Sequence, residues 1–362
     1  MTDVRSVLDR EARRVSAPTA AMEAMFQRGR RRARRTRVLT IGFALTVAAG
    51  SIAGVVAAFS AGPSAGHDAL APTGPTGTIA YMQASDAGNA STLFAVSVEG
   101  GAPVEIGTES YADYPVWSPN GTRIAYGGGA DVNSTALVVA NADGSGAHRI
   151  VDAIDPEPLS WSPDGTRIAY MGDGNRVTGV YVVGADGSAD TLVIDGFWQS
   201  VAWSPDGEHL LLTGNPDGTQ GAEGFDIYTV RTDGTDLLQL THGGGYEGFA
   251  TWSPDGSRIL FTSGAEFETY AQDVYVMNAD GSNEQRLTSW PGFDSFPVWS
   301  ADGSWIAFAS DRDATPAQQH AIEAHGAFTN ISMYVMRADG SNVERLFTAG
   351  DDEAFLPSSW RA

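Results

Sequence analysis

The sequence predicts an all-β fold, a six-bladed β-propeller closed by its N- and C-terminal strands and preceded by a single transmembrane helix and a short cytosolic segment. Three observations lead to this prediction. A tryptophan-centred motif recurs six times, each copy has room for four strands, and the first and last copies are incomplete. An apolar run behind an arginine cluster near the N-terminus adds the membrane helix.

The repeating unit is clearest at Trp161, which begins the segment Trp-Ser-Pro-Asp-Gly-Thr-Arg-Ile-Ala-Tyr. Six tryptophans mark the copies: Trp117, Trp161, Trp203, Trp252, Trp299 and Trp360. They lie 44, 42, 49, 47 and 61 residues apart, which is the period range of propeller blades.

The residues of the unit indicate four antiparallel strands. Pro163 cannot donate to a strand ladder, and the Asp164-Gly165 pair favours a tight turn, so the motif predicts strand, turn, strand. A third apolar strand and a second Asp-Gly turn follow, as at Asp280-Gly281, before a fourth short strand. Four strands repeated six times predict a six-bladed propeller.

The two ends of the repeat region indicate how the ring closes. Residues 77–81 resemble a second strand without a tryptophan strand before it, whereas residues 355–360 resemble a tryptophan strand with nothing after it. Together they complete one blade, which would close the ring and leave no open sheet edge. A solenoid stack of the same units is the alternative, but it does not require split end fragments.

These repeats resemble the TolB-type family of WD-like propeller repeats, here as a membrane-anchored bacterial member. The resemblance rests on the Ser-Pro-Asp-Gly turns, the Ile-Ala-Tyr strands and the Asn-Ala-Asp-Gly-Ser turns, and it covers residues 77–362. It implies a propeller that takes part in protein–protein interaction. Similar blades also occur in prolyl-oligopeptidase-like enzymes and in some lyases, so the resemblance is more specific for fold than for function.

Composition and charge exclude several kinds of site. The chain of 362 residues has no cysteine, which excludes disulfides, thiol catalysis and cysteine-bound zinc. All 22 basic residues are arginine, and 11 of them lie in residues 1–37 against four acids, while 11 face 40 acids in the remainder. The part after residue 37 therefore has a net charge of −29, which argues against nucleic-acid binding.

The N-terminal part predicts four segments in order. Residues 1–37 form an Arg-rich cytosolic segment whose residues 3–15 have the spacing of a short amphipathic helix, which would dock a cytosolic partner or lie on the membrane. Residues 38–60 are apolar, uncharged and long enough to span a bilayer, residues 61–76 form a flexible linker, and residues 77–362 form the propeller. The arginines predict a cytosolic N-terminus and an extracytoplasmic propeller in the cytoplasmic membrane. A cleaved signal peptide is the alternative, although the apolar run is long for one.

The sequence contains no motif for a metalloprotease, a phosphate-binding loop or a dinucleotide site. His320, Glu323 and His325 lie near one another in a predicted helix, but the five-residue spacing of the histidines is poor for one metal. We therefore predict no enzymatic activity and no cofactor. Calcium binding stays open, because acidic loops supply the oxygen ligands that calcium prefers.

The loops predict a binding surface on one face of the ring. The Asp-Gly turns share one face, here called the turn face, and the inter-blade loops share the other, called the variable face. Aromatic and acidic residues converge at the channel mouth on the variable face. The predicted ligand-binding residues are Tyr111, Asp113, Asp155, Glu157, Trp198, Tyr246, Glu247, Trp290, Asp294, Asp351, Asp352 and Glu353.

These features together favour a non-catalytic binding or scaffold module. The expected partner is an extracytoplasmic protein, peptide or glycan, and the cytosolic segment offers a second contact for a cytosolic partner. Two alternatives stay open: the propeller of a lyase- or peptidase-like enzyme, and a sensor that relays ligand binding to the cytosol. For most single residues of the mouth, packing between blades or simple solvation is the competing explanation.

Overall fold

A computed structural model describes residues 75–85, 91–107, 111–129, 135–152, 159–172, 177–217, 224–243, 245–264, 271–315, 330–348 and 353–362. The predicted cytosolic segment, the predicted membrane helix and most of the predicted linker lie outside these ranges. Within the described ranges, no helix has both the length and the apolar character needed to cross a membrane.

The described residues form 24 strands in six four-stranded antiparallel sheets, which confirms the predicted propeller. Blade one contains β24 (Glu353–Arg361), β1 (Thr78–Ser85), β2 (Ser91–Ser97) and β3 (Val104–Glu105). Blade two contains β4 (Tyr111–Trp117), β5 (Arg123–Gly129), β6 (Ala136–Asn141) and β7 (His148–Asp152). Blade three contains β8 (Ser160–Trp161), β9 (Arg167–Gly172), β10 (Gly179–Gly184) and β11 (Thr191–Asp195).

The remaining blades repeat this order. Blade four contains β12 (Phe197–Trp203), β13 (His209–Asn215), β14 (Asp226–Arg231) and β15 (Leu238–Gln239). Blade five contains β16 (Tyr246–Trp252), β17 (Arg258–Gly264), β18 (Gln272–Asn278) and β19 (Gln285–Arg286). Blade six contains β20 (Asp294–Trp299), β21 (Trp305–Ser310), β22 (Ser332–Arg337) and β23 (Glu344–Phe347).

Blade one closes the ring by joining the two ends of the propeller sequence. β1 lies between β2 and β24, and Ile79 pairs with Trp360 in an antiparallel register. The Trp360 indole N–H donates a 2.8 Å hydrogen bond to the Thr76 carbonyl. The predicted closure by N- and C-terminal strands is confirmed, and the solenoid alternative is wrong.

The Ser-Pro-Asp-Gly turns are held by their own side chains. The Ser162 hydroxyl donates a 2.6 Å hydrogen bond to Asp164 and accepts a 2.9 Å bond from the Arg167 N–H. This hydroxyl, together with the Thr166 backbone and side chain, lowers the pKa of Asp164 to about 2. Gly165 has φ of 68°, a conformation that glycine adopts without strain. The motif therefore specifies a turn whose conformation is set by its own residues.

Arginines from these turns link one blade to the next. The Arg123 guanidinium of blade two lies 4.7 Å from the ring of Trp161 in blade three and donates a 2.6 Å bond to the Gly165 carbonyl. Similar stacks join Arg167 to Trp203 and Arg258 to Trp299. Arg361, which directly follows Trp360 at the end of β24 rather than a turn, stacks on Trp117 in the same way. The Arg and Trp of the repeat thus form cation–π contacts across the blade interfaces, here called seams.

The hydrophobic core is divided among the seams. One cluster joins Ala169 and Met171 of blade three to Trp198 and Leu212 of blade four, and another joins Leu211 of blade four to residues of blade five. Propeller blades bury apolar area on both faces, so their central strands are apolar throughout, as the buried β5 and β21 are.

The innermost strand of each blade begins earlier than the sequence analysis assumed. Asp113, Trp198, Tyr246, Glu247 and Asp294 were placed in inter-blade loops, but they lie in β4, β12, β16 and β20. Bulges within these strands explain the difference, since they break the regular alternation by which a strand is recognised in sequence. Several predicted mouth residues are therefore part of the sheet walls.

Candidate functional site

The structure locates six of the predicted ligand-binding residues with their side chains. Four others, Asp155, Glu157, Asp351 and Asp352, lie outside the described residues, and the side chains of Tyr111 and Glu353 are also outside them. The six are Asp113, Trp198, Tyr246, Glu247, Trp290 and Asp294. Five of the six are buried, and Trp290 is half-buried.

Two of the aromatic residues are packing residues in this structure. The Trp198 ring lies edge-on to Tyr228 at 5.4 Å and belongs to the cluster between blades three and four. Tyr246 contacts Phe225 at 5.8 Å in a small aromatic cluster with Phe197. Neither ring offers a free face to a ligand approaching the variable face.

Trp290 and Asp294 belong to one hydrogen-bonded cluster at the seam between blades five and six. The Trp290 indole N–H donates a 2.7 Å bond to Asp311, which also accepts a 2.9 Å bond from the Phe293 N–H. Arg312 donates to both oxygens of Asp294, at 2.9 and 2.8 Å. Because Asp294 is fully buried and paired with a guanidinium, its charge is balanced within the chain.

Glu247 occupies a different environment, on the wall of a cavity of about 430 Å³ between blades four and five. The cavity lies along the 241–247 connection and the outer ends of β17 and β18, so it opens toward the variable face. Its lining residues are Thr241, His242, Gly243, Gly245, Glu247, Ser263, Gly264, Ala271, Asp273, Tyr275 and Glu284.

The Glu247 carboxyl is buried with a neutral partner. Only 5% of the residue is exposed, and one oxygen accepts a hydrogen bond from the Thr241 hydroxyl. Burial raises the pKa of Glu247 to about 7, and Asp226 and Glu284 add electrostatic repulsion in the same direction. A carboxyl with this pKa changes charge near neutral pH, so it can take up either a proton or a cation.

The polar groups around Glu247 belong to a repeated framework. The Ile227 N–H donates a 2.9 Å bond to Thr241, and the Val274 N–H donates a 3.0 Å bond to Thr288. An aspartate precedes each of these donors, Asp226 in blade four and Asp273 in blade five. The sequence analysis missed these residues, although recurrence of Asp-Ile-Tyr or Asp-Val-Tyr with a later Leu-Thr pair was a detectable signal.

The central channel forms a second cavity, of about 310 Å³, lined by all six innermost strands. Three aromatic residues at bulges in these strands have left-handed backbones: Tyr114 with φ of 48°, Phe249 with 52° and Phe296 with 54°. The Phe249 and Phe296 ring centroids are 4.2 Å apart. Left-handed non-glycine residues are uncommon and concentrate at binding sites, so the channel is a second candidate contact surface. Pro254 and Ala301 also line it, which places it toward the turn face.

One close grouping of potential metal ligands occurs among the described residues. It consists of Asp206, Glu208 and His209 in a turn of blade four. Asp206 already accepts a 2.5 Å bond from Ser204 and a 2.9 Å bond from the Glu208 N–H, as its equivalents do in other blades. The group is therefore explained by the turn itself. The predicted helix that contains His320, Glu323 and His325 lies outside the described residues.

Comparison with known proteins agrees with this architecture. The family model described as the TolB beta propeller domain matches residues 121–268, so this part of the propeller is similar to that family. No curated protein matches the sequence.

Three solved structures illustrate the similarity. TolB from Acinetobacter baumannii has a TM-score of 0.64 at 18% identity, covering 79% of this chain and 67% of that one. A protein described as TolB from Agrobacterium tumefaciens has a TM-score of 0.58 at 21% identity, with coverages of 78% and 98%. An oligogalacturonate lyase in complex with manganese has a TM-score of 0.50 at 14% identity, with coverages of 75% and 74%. At these identities the likeness shows the fold alone.

Proposed function

We propose that this chain is a membrane-anchored, extracytoplasmic β-propeller that binds a protein or peptide at its variable face without catalysing a reaction. The observation that carries the proposal is the cavity at the seam of blades four and five, with the buried Glu247 carboxyl in its wall. TolB-like propellers typically serve as protein-binding modules, and the profile match to this type supports the same role here.

The sequence supports the anchoring part of the proposal. Seven arginines between residues 28 and 37 precede the uncharged apolar run of residues 38–60. Such an order holds the N-terminus in the cytosol and leaves the following domain outside. An acidic propeller tethered in this way would attract partners with basic surfaces, because its charge raises their encounter rate.

We predict a single-pass topology with residues 1–37 inside and the propeller outside. Protease added to intact cells should digest a C-terminal tag and spare an N-terminal one, and lysed cells provide the control in which both tags are cut. Release of the whole propeller into the medium would instead indicate a cleaved signal peptide.

A pull-down with the detergent-solubilised full chain should identify the partner. We predict that reversing Asp351, Asp352 and Glu353 to arginine weakens capture at least tenfold, because the sequence predicts these acids among the ligand-binding residues of the mouth. Reversing Glu99, Glu105 and Glu344 is the matched control, since these acids are exposed in the β2–β3 turn, in β3 and in β23, and they change the net charge equally. Equal capture by both triple variants would place the binding site away from the variable-face mouth.

A further inference from the structure

Blades five and six place an acidic side chain at the same structural position. Glu247 of β16 pairs with Ser263 of β17, and Asp294 of β20 pairs with Ser310 of β21. Both acids lie five residues before the tryptophan of their blade. Each acid therefore faces the preceding blade from the start of the innermost strand.

The aromatic residues beside these two acids also correspond. Phe261 pairs with Tyr275 in blade five, and Phe308 pairs with Tyr334 in blade six. The ring centroids of these two pairs lie 5.7 and 5.8 Å apart. Each of the two seams thus contains an acid and a Phe–Tyr ring pair at equivalent positions, so the seams can be compared directly.

At the seam of blades five and six, a guanidinium fills the space beside the acid. Arg312 binds both oxygens of Asp294 and donates a 2.9 Å bond to Ser310. Its guanidinium carbon lies 4.8 Å from the Tyr334 ring centroid and 5.2 Å from that of Phe308. This is a complete cation site, with a counter-ion and two aromatic rings.

At the seam of blades three and four, an aromatic ring fills the equivalent space. Trp198 stands five residues before Trp203, in the place of the acid, and its ring contacts Tyr228. The space is therefore closed by the chain itself in both neighbouring seams, once by a ring and once by an arginine.

At the seam of blades four and five, the equivalent space is the cavity of about 430 Å³. Glu247 replaces Trp198, and the residue after Gly264 is Ala265, where blade six has Arg312 after Asp311. Among the described residues, no arginine contacts Glu247, whose hydrogen-bond partner is the neutral Thr241 hydroxyl. In the described part of this seam, an acid and an aromatic wall are thus present without the cation.

The charged groups around this cavity are predominantly acidic. Among the described residues, the titratable groups around Glu247 and its cavity are Asp226, Tyr228, His242, Asp273, Tyr275, Glu284 and Arg286. The Arg286 guanidinium donates a 2.5 Å hydrogen bond to Asp273 and a 2.7 Å hydrogen bond to the Thr288 carbonyl, so it binds these groups rather than Glu247. When Glu247 is ionised, therefore, no arginine of the described residues neutralises it.

We propose that the cavity between blades four and five binds a guanidinium group, supplied by an arginine side chain of a basic peptide or protein. Glu247 is its counter-ion, and Tyr275 is the ring against which it stacks. The inference adds to the proposed function the chemical group by which the partner is recognised. It rests on the proposed function only in taking that group from a protein or peptide. A divalent metal fits less well, because the described acids of this cavity do not form a close ligand group.

A capped tripeptide Gly-Arg-Gly tests the site without the natural partner. Calorimetric titration of the detergent-solubilised full chain should show binding at pH 8, and the same peptide with citrulline should not bind, because citrulline has the shape of arginine without its charge. Binding should be about tenfold weaker at pH 6, since the ionised form of Glu247 becomes the minor form below a pKa of about 7.

Three variants locate the binding. Glu247→Gln should weaken binding at least tenfold, and Glu284→Gln, at an exposed rim position, should weaken it about threefold even if the first variant folds poorly. Glu344→Gln, an exposed acid on blade six, is the matched control and should bind as the parent does. Arg312→Ala should open a second site beside Asp294. Methylguanidinium should then raise the melting temperature of the Arg312→Ala protein, which would show that a guanidinium can occupy such a site.

Four results would overturn the assignment. The arginine and citrulline peptides could bind equally well, or the Glu247→Gln protein could bind the arginine peptide as well as the parent does. The protein could bind Ca²⁺ and not the arginine peptide, or it could bind the peptide only when it carries Arg312→Ala. The natural partner separates this inference from the proposed function. Capture that is insensitive to Glu247→Gln rejects the cation site alone, whereas peptide binding without any captured protein rejects the proposed function alone.

Discussion

A carboxyl group that is buried without a cation reduces the stability of the fold when it ionises. Glu247 is the clearest case among the described residues, because burial raises its pKa from an ordinary value of 4.5 to about 7. The folded state then binds more protons than the unfolded state between these two pH values. Stability must fall as pH rises through this window, and it falls by about 3 kcal/mol in total.

We predict that Glu247→Gln removes this pH dependence. The variant should gain about 3 kcal/mol relative to the parent between pH 4.5 and pH 8, because glutamine stays neutral throughout. Urea denaturation of both proteins at pH 5 and pH 8 measures the change. Glu344→Gln should show no such pH-dependent difference, since this glutamate is exposed. If the free energies of unfolding of Glu247→Gln and the parent differ by the same amount at pH 5 and pH 8, Glu247 is solvated in the folded protein.

Whether an acid is a ligand-binding residue or an internal ion pair was not predictable from its own position in the sequence. Asp294 and Glu247 have the same repeat position, and both were predicted to lie at the mouth. Arg312 decides the difference, because it follows the second strand of blade six and reaches back to Asp294. The sequence shows the acids, but only the register of neighbouring strands shows which acid has a cation beside it.

At the scale of elements, blades two, three and five each combine a turn held by its own side chains with an arginine that links the blade to its neighbour. The serine and aspartate of the turn satisfy backbone donors locally, which leaves the following arginine free to reach across the seam. Blade four has His209 at this position, and no stack over Trp252 occurs in the part of the chain that the structure describes. The seam with the open cavity therefore also lacks this link.

We predict that Arg123→Ala destabilises the propeller by about 1–2 kcal/mol, because it removes a cation–π stack and a hydrogen bond to the next blade. Thermal or urea denaturation measures the loss. Arg149→Ala is the matched control and should change stability by less than about 0.5 kcal/mol, since its ion pair with Asp152 is exposed and 4.0 Å long. Equal effects of the two substitutions would show that the stacks do not hold the seams together.

At the scale of the whole molecule, the repeat made the fold predictable. Period, turn residues and split end fragments all follow from one motif, so blade number and closure were predicted correctly. The bulges of the innermost strands were not predicted, because they depend on how six strands fit around a narrow channel. Tyr114, Phe249 and Phe296 adopt left-handed backbones there, which no local sequence pattern of aromatic residues would suggest.

We predict that removing residues 353–362 abolishes cooperative unfolding. The deletion takes away β24, and with it the pairing of Trp360 with Ile79 and the stack of Arg361 on Trp117. It also leaves β1 as an open edge next to an unfilled apolar seam, which favours aggregation. Denaturation followed by both circular dichroism and tryptophan fluorescence should show separate transitions in the truncated chain and one shared transition in the parent.

A synthetic peptide of residues 353–362 distinguishes loss of closure from general damage. Because β24 joins the sheet by main-chain hydrogen bonds with β1, the peptide should bind the truncated chain as an added strand and restore a single transition. The same peptide with Trp360→Ala and Phe355→Ala is the control, and it should restore little because these side chains fill the seam with blade six. A truncated chain that melts like the parent without any peptide would show that five blades and a partial sheet suffice for a stable ring. Restoration by the unaltered peptide alone would show that cooperative unfolding of the ring depends on β24, which pairs with β1 inside blade one and packs against blade six.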